Sequence, residues 1–336
     1  MKKLFLLLAV VMGNLLILGC SSIEEPPVSD DPVDFWEKTS LSANRISCLE
    51  IGPNDYIYVG TFGYQGLFRS TDNGQTWETI NDNILEQTKL ITFLGYNSDI
   101  NYLFAAFGTL FYSNDDGESW TKLSSTVTTH FRMVASNGYR IYAGGSDRIL
   151  SGNISTSGNQ ISLGLSGFPR ERKPLSLISY PEGNSYYVGS DRGLYRKIDN
   201  SSEKWELIGL KDRRVVAIAV NSWGKIFAGC EDENGGNIDV FSSTNEKDWI
   251  STELAGEKRR IACLLVDSND DLYAGTRFRG IFRLRNKKWT EINTGIPETI
   301  EEFPQRRVTS LRINSWGYLY VGMDGQGLYR SKSPIE

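Results

Sequence analysis

One short phrase recurs seven times along the chain and limits its fold more than any other feature. A large aromatic residue, a small aliphatic residue and then Gly or Ala appear as Tyr58-Val59-Gly60, Phe104-Ala105-Ala106, Tyr142-Ala143-Gly144, Tyr187-Val188-Gly189, Phe227-Ala228-Gly229, Tyr273-Ala274-Gly275 and Tyr320-Val321-Gly322. Counted on the last residue, successive copies lie 46, 38, 45, 40, 46 and 47 residues apart. A unit of this length cannot bury its own apolar face, so neighbouring units must cover one another.

Each unit divides into four strand-like segments. Strand a is a continuous apolar run such as Val215-Val216-Ala217-Ile218-Ala219-Val220, as expected of a strand covered on both faces. A polar turn follows, for example Asn221-Ser222-Trp223-Gly224 or Asn314-Ser315-Trp316-Gly317, and then the repeated phrase as strand b. Strand c opens with Gly in Gly66-Leu67-Phe68-Arg69, Gly193-Leu194-Tyr195-Arg196, Gly280-Ile281-Phe282-Arg283 and Gly327-Leu328-Tyr329-Arg330. Strand d is marked by Trp77, Trp120, Trp205, Trp249 or Trp289, each 14 to 20 residues beyond the small residue of strand b. The third unit has Ile161-Ser162-Leu163 in that place. The pattern predicts an all-β fold, a seven-bladed β-propeller of four-stranded antiparallel blades. The last unit stops after strand c, and Trp36 precedes the first strand a. Phe35-Trp36-Glu37-Lys38 is therefore expected to supply strand d of the last blade, closing the ring and removing a free sheet edge.

The N-terminus reads as an address. Lys2-Lys3 precede an apolar run from Leu4 to Leu18, too short for a membrane span and suited to a signal peptide. Ile17-Leu18-Gly19-Cys20 resembles a bacterial lipoprotein lipobox. The resemblance implies removal of residues 1–19, a lipidated Cys20 and a bacterial outer membrane lipoprotein, periplasmic or surface-exposed. The alternative is a plain secretory signal with an incidental Cys. The stretch 20–34 (CSSIEEPPVSDDPVD) has little to bury and reads as a flexible tether of at most about 45 Å, leaving 35–336 for the propeller. Of the remaining cysteines, Cys48, Cys230 and Cys263 cannot all pair with one another, and apolar flanks mark them as small core residues.

Ser70-Thr71-Asp72-Asn73-Gly74-Gln75-Thr76-Trp77 and Ser113-Asn114-Asp115-Asp116-Gly117-Glu118-Ser119-Trp120 resemble the Asp-box (BNR) motif, S-x-D-x-G-x-[ST]-W. A degenerate copy is read at Ser242–Trp249, without the Asp and Gly. The carboxylate can accept turn amides, Gly can take positive φ, and Trp can pack inward, so Ser70, Asp72, Gly74, Trp77, Ser113, Asp115, Gly117 and Trp120 are read as structural. A calcium loop is the alternative, but an EF-hand's alternating ligands are missing. The resemblance covers 35–336 and points to Asp-box propellers, a superfamily holding sialidases, xyloglucanases, sortilin-type receptors and the photosystem II assembly factor. It implies that the Asp boxes lie on the face away from any active site.

A row of cations is the most informative functional feature. The residue before each strand a is read as Arg45, Lys89, His130, Lys173, Arg214, Arg260 and Arg307. Arg172, Arg213, Arg259 and Arg306 double the charge in four units. In a propeller these junctions share one end with the b–c loops, where Arg277, Arg279, Phe62, Tyr64, Phe107 and Phe278 also fall. The expected result is a positive funnel mouth on a chain of net charge −5, suited to an anionic glycan, peptide or protein partner. The structural alternative pairs each cation with Asp147, Asp191, Glu231, Asp232, Glu233 or Asp324.

Two functional classes follow: an envelope-anchored, non-catalytic binding or assembly module, or a glycoside hydrolase. The second would draw its carboxylates from Asp191, Asp324, Glu231 and Glu233, yet no spacing singles out a pair. The Arg-Ile-Pro of sialidases is missing, Arg45-Ile46-Ser47 being the nearest. A single His argues against His-based metal sites and most His triads, so no metal or cofactor is expected. Mild acidity gives no reason to expect nucleic acid, and the chain is expected to be a monomer that meets a membrane only through its lipid.

Overall fold

The computed structural model describes residues 34–335 apart from 64, 82–89, 126–128, 155–160, 181, 183, 199–203, 233–237, 255–259 and 299–304. The expected signal, Cys20 and nearly all of the tether lie outside the described residues. Val33–Glu336 form one compact unit.

Within it, seven sheets follow one another in chain order. Blade 1 runs Ile46–Ile51, Ile57–Thr61, Leu67–Ser70 and Glu78–Thr79, each strand antiparallel to the last. Blades 2 to 6 repeat this order, with inner strands a at Phe93–Asn97, Met133–Asn137, Pro174–Tyr180, Arg214–Val220 and Ile261–Val266. Blade 7 joins Val308–Ile313, Leu319–Met323 and Gly327–Ser331 to the N-terminal strand Trp36–Lys38. Trp36 pairs with Ser331 and Lys38 with Tyr329, so the expected ring closure is present. Each inner strand touches the next, and the seventh touches the first. Blade 3 departs from four strands: Ser124–Ser125 adds a parallel fifth to Ile161–Leu165.

The repeated phrase is where the blades meet. Strand b is buried along its length in blades 1, 6 and 7. Its final small residue lies against the start of the next blade's strand a. A Cβ on Gly60 would come within 2.8 Å of Ile91, and one on Gly322 within 2.7 Å of Ile46. Gly permits this approach and a larger side chain does not, which explains the recurrence; blade 2 carries the buried Ala106 in the same place.

Tryptophan indoles tie five of the blades to the one before. Trp120 Nε1 donates to Ile80 O (3.1 Å), Trp205 to Ser166 O (3.2 Å), Trp249 to Ile208 O (3.2 Å), Trp289 to Thr252 O (2.9 Å) and Trp36 to Ile292 O (2.6 Å). Trp77 instead donates to Gly74 O within its own loop. In blade 3 the buried Ile161 and Leu163 fill the place.

Cys48, Cys230 and Cys263 are free thiols, and burial pushes each up to about 12.

Candidate functional site

The two ends of the ring are built from the same residue types for different work. At the Asp-box end, Asp72 Oδ1 accepts the amides of Gln75 (3.0 Å) and Thr76 (2.8 Å), and Oδ2 accepts the Thr76 hydroxyl (2.5 Å). Asp115 does the same with the amide and hydroxyl of Ser119. Slight burial pushes both carboxyls up, but these hydrogen bonds and those from Ser70 and Ser113 outweigh it and hold them below the ordinary value. Contacts place the degenerate box of blade 5 at Ser243–Trp249, one residue shorter than a full box, with Asn245 in the Asp role. Its Oδ1 accepts the amides of Lys247 (3.0 Å) and Asp248 (2.9 Å).

Each box is also clipped by the preceding blade. The residue after the turn's side-chain acceptor has positive φ (Asn73, Asp116, Glu246) and takes the Tyr of the repeated phrase in the neighbouring strand b. The partners are Tyr320 to Asn73, Tyr58 to Asp116 (3.2 Å) and Tyr187 to Glu246 (2.8 Å). The last Arg or next-to-last residue of that blade's strand c joins in: Arg330, Arg69 and Arg196 contact the same three residues.

The other end is set by a backbone irregularity. Five inner strands carry a bulge just after their start, between Ile46 and Cys48, Pro174 and Ser176, Val215 and Ala217, Ile261 and Cys263, and Val308 and Ser310. A bulge re-aims one side chain out of the ladder. All five bulged residues, Ser47, Leu175, Val216, Ala262 and Thr309, line one of two axial cavities.

The residue opposite each small residue of strand b fixes a common frame: Cys48, Phe93, Met133, Ser176, Ala217, Cys263 and Ser310. Three positions earlier stand Arg45, Leu90, His130, Lys173, Arg214, Arg260 and Arg307. Six of the seven expected residues hold the ring position. The correction is in blade 2, where the place belongs to Leu90, because Phe93 rather than its predecessor faces Ala106. Lys89 lies outside the described residues. The same frame puts Arg132 of blade 3 at the bulge position, and it lines the larger cavity. Sequence reading missed Arg132 because it sits inside the run Phe131-Arg132-Met133, and only the strand register marks it as inward.

The larger cavity, about 480 Å³, is bounded by blades 3 to 6 and receives Arg132, Lys173, Arg214, Arg260 and Arg277 beside Glu231. The smaller, about 230 Å³, adds Phe62, Arg307 and Asp324 and shares Ala262 and Arg277 with the first. Together six cationic side chains meet two carboxylates, a surplus of four positive charges. Asp324 reaches Arg45 (2.8 Å) and Arg307 (3.1 Å), and Glu231 reaches Arg260 (3.4 Å) and Arg214 (4.0 Å). Each acid bridges its own blade to the next and is 5% exposed, whereas the four arginines remain 34–48% exposed. The stitching alternative therefore describes the carboxylates correctly, but two acids shared among four guanidiniums leave charge facing the cavity.

Other expected residues lie elsewhere. Asp191 Oδ1 accepts the backbone amide of Lys173 (3.0 Å). Asp147 holds Arg148 and accepts from Thr129. Arg279 pairs with Glu291 (3.9 Å), as does Arg306 (3.6 Å), and neither lines the cavities. Arg172 donates to Tyr195 (3.3 Å) and Arg213 lies over the Phe241 ring (4.5 Å), so these doubling residues turn away as strand alternation requires. Phe62 lies under the Arg45 guanidinium, 5.1 Å from its centroid. Phe278 is half-buried and outside both linings. Of Phe107 only the backbone pairing with Thr109 is described, and Tyr64, Arg259 and Glu233 lie outside the described residues.

Deeper along the inner strands, Arg312 makes a two-pronged ion pair with Glu50 (3.0 and 2.9 Å), joining blades 7 and 1.

A family model described as "Sortilin, neurotensin receptor 3" matches residues 65–150. No curated protein matches the sequence. Among solved structures, the extracellular domain of the one-component system BT4673 of B. thetaiotaomicron superposes with a TM-score of 0.70 at 18% identity. That match covers 89% of this chain and 40% of the other, so this chain spans well under half of that relative. YCF48 bound to D1 peptide gives 0.66 at 14% identity, covering 88% and 96% of the two chains. AFV00434, an ancestral GH74 enzyme, gives 0.64 at 16% identity, covering 88% and 46%. Identities this low speak for the fold.

Proposed function

We propose that this chain, a β-propeller of the BNR/sortilin-like superfamily, is a non-catalytic binding module whose axial funnel captures an anionic group of a glycan, peptide or protein partner. The observation that carries the reading is the surplus of cations over carboxylates in the two connected cavities. Guanidiniums in a partly enclosed cleft focus potential and grip carboxylate or phosphate with two hydrogen bonds each. Structural neighbours are in keeping with it: one was solved with a peptide and another is an extracellular domain. We place the protein outside the cytoplasm, anchored through Cys20, on the strength of the lipobox resemblance and that neighbour.

The glycosidase alternative is less well supported by the geometry. Glu231 and Asp324 lie in blades 5 and 7, each already clamped by two arginines, and Asp191 is tied to a backbone amide. None is presented as a partner across a sugar bond.

Residues 34–336 screened against acidic and neutral glycans and peptides are expected to retain acidic probes, with binding weakened by salt. Arg260→Glu combined with Arg307→Glu should lower affinity at least about a hundredfold, worth about 2.7 kcal/mol. Equal retention of neutral probes, or normal binding by the double variant, would overturn the reading. Hydrolysis of a glycan probe that is lost in Asp324→Asn would favour the enzyme.

A further inference from the structure

A third cavity, about 440 Å³, lies beside the axial pair and is lined by Asp147, Arg148, Ile149, Leu165, Phe168 and Arg170 among others. Two chain segments separate it from the larger axial cavity. In the b–c loop of blade 3, Ser146 lines the axial side while Asp147 and Arg148 line the outer side. In the passage from blade 3 to blade 4, Leu165, Ser166, Gly167, Phe168 and Arg170 line the outer cavity and Lys173–Leu175 the axial one. In the first segment the two linings adjoin, in the second two residues separate them, and both cavities belong to the end of the ring that carries the cations. They are neighbouring cavities at one end of the ring.

The two cavities differ in chemistry. The axial part is cationic. The outer part offers Leu165, 51% exposed, over an apolar floor of Ile149 and Phe168, with the exposed Arg170 beside it and Asp147 already held by Arg148. Sugars need an open aromatic face to stack on. Phe168 has none to give: it is buried, and the rings of Tyr195 and Trp205 meet it edge-on at 5.2 and 5.5 Å. Phe62, at the axis, is covered by Arg45. An aliphatic side chain, by contrast, finds in the exposed Leu165 a matching surface.

Resting on the anion-binding reading above, we infer that the ligand is an extended polypeptide, with a carboxylate in the axial cavity and an aliphatic side chain in the rim cavity between Leu165 and Arg170. The rim cavity is then a second subsite, and it selects peptide over glycan.

Fluorescent synthetic decapeptides test this: alternating Glu-Leu, Glu-Ser and Gln-Leu, with acetylated, amidated ends, a Gln-Leu peptide bearing a free C-terminal carboxylate, and an oligogalacturonate as the acidic glycan. The Glu-Leu peptide is expected to bind about tenfold tighter than Glu-Ser, and both tighter than the glycan and the blocked Gln-Leu peptide. The free-ended Gln-Leu peptide tells a terminal from a side-chain carboxylate. Leu165→Asp, at an exposed position that tolerates a polar residue, should bring Glu-Leu down to the Glu-Ser level and leave Glu-Ser unchanged. Arg260→Glu should weaken both. Equal binding of Glu-Leu and Glu-Ser, preference for the glycan, or an unaltered preference in Leu165→Asp would sink the rim subsite while leaving the axial site standing. Blocked Gln-Leu binding as tightly as Glu-Leu, or no acidic probe binding at all, would sink both.

Discussion

Arginines at the two ends of the ring are opposites. Arg69, at the Asp-box end, is 9% exposed and has two carboxylates to itself, Glu78 (2.7 Å) and Glu118 (2.6 Å), as well as the Asp116 carbonyl. At the funnel end the proportion is inverted, with one carboxylate serving two arginines. Identical side chains thus act as a fastener where acids are in excess and leave charge facing the cavities where acids are scarce. Counting arginines identifies neither; counting the acids within reach of each does.

That contrast can be broken from either side. Arg69→Ala should cost about 2 kcal/mol in urea denaturation, from lost charge-assisted hydrogen bonds and packing, and leave affinity for an acidic probe unchanged. Arg307→Ala should do the reverse, losing affinity with less than about 1 kcal/mol of stability, because its carboxylate keeps Arg45. A smaller effect sharpens the comparison. Asp324→Asn leaves Arg45 and Arg307 without their shared acid, so stability should fall by about 1 kcal/mol while an acidic peptide binds several-fold more tightly. If affinity falls instead, Asp324 belongs to the ligand's contacts.

The smallest effect is acid sensitivity at the Asp-box end. Asp72 and Asp115 have carboxyls held below the ordinary 3.8 in the folded chain. The unfolded chain takes up those protons at the higher value, so this contribution is complete above about pH 4 and is lost as pH falls through the lowered folded value. Asp72→Asn with Asp115→Asn should make denaturation midpoints less steeply dependent on pH between about 2 and 4. An unchanged slope would remove the boxes from the acid response.

Much of this was legible from residue order alone, for reasons the structure makes plain. The blade count, the closing role of Trp36 and the Asp-box turns rest on close contacts that recur at a fixed spacing, such as Gly60 against Ile91. The funnel was legible only in part. Reading back from the apolar run gave Lys89, because Leu90 and Ile91 look like the start of the strand; register gives Leu90. Arg132 was hidden by its aromatic and Met neighbours, which look like core. Nor does sequence spacing tell which acid serves two cations: Asp191, Glu231 and Asp324 occupy equivalent places two residues after the small residue of strand b, and only the latter two bridge blades by ion pairs.

The most direct test of the two arginine populations is their reactivity toward phenylglyoxal, mapped by mass spectrometry on the folded chain with and without an acidic peptide. Arg132, Arg214, Arg260, Arg277 and Arg307 should react first and be protected by the peptide, while Arg69, Arg196 and Arg330 react slowly in either case. Uniform reactivity, or peptide protection that falls on the Asp-box end, would contradict the assignment of binding to the funnel.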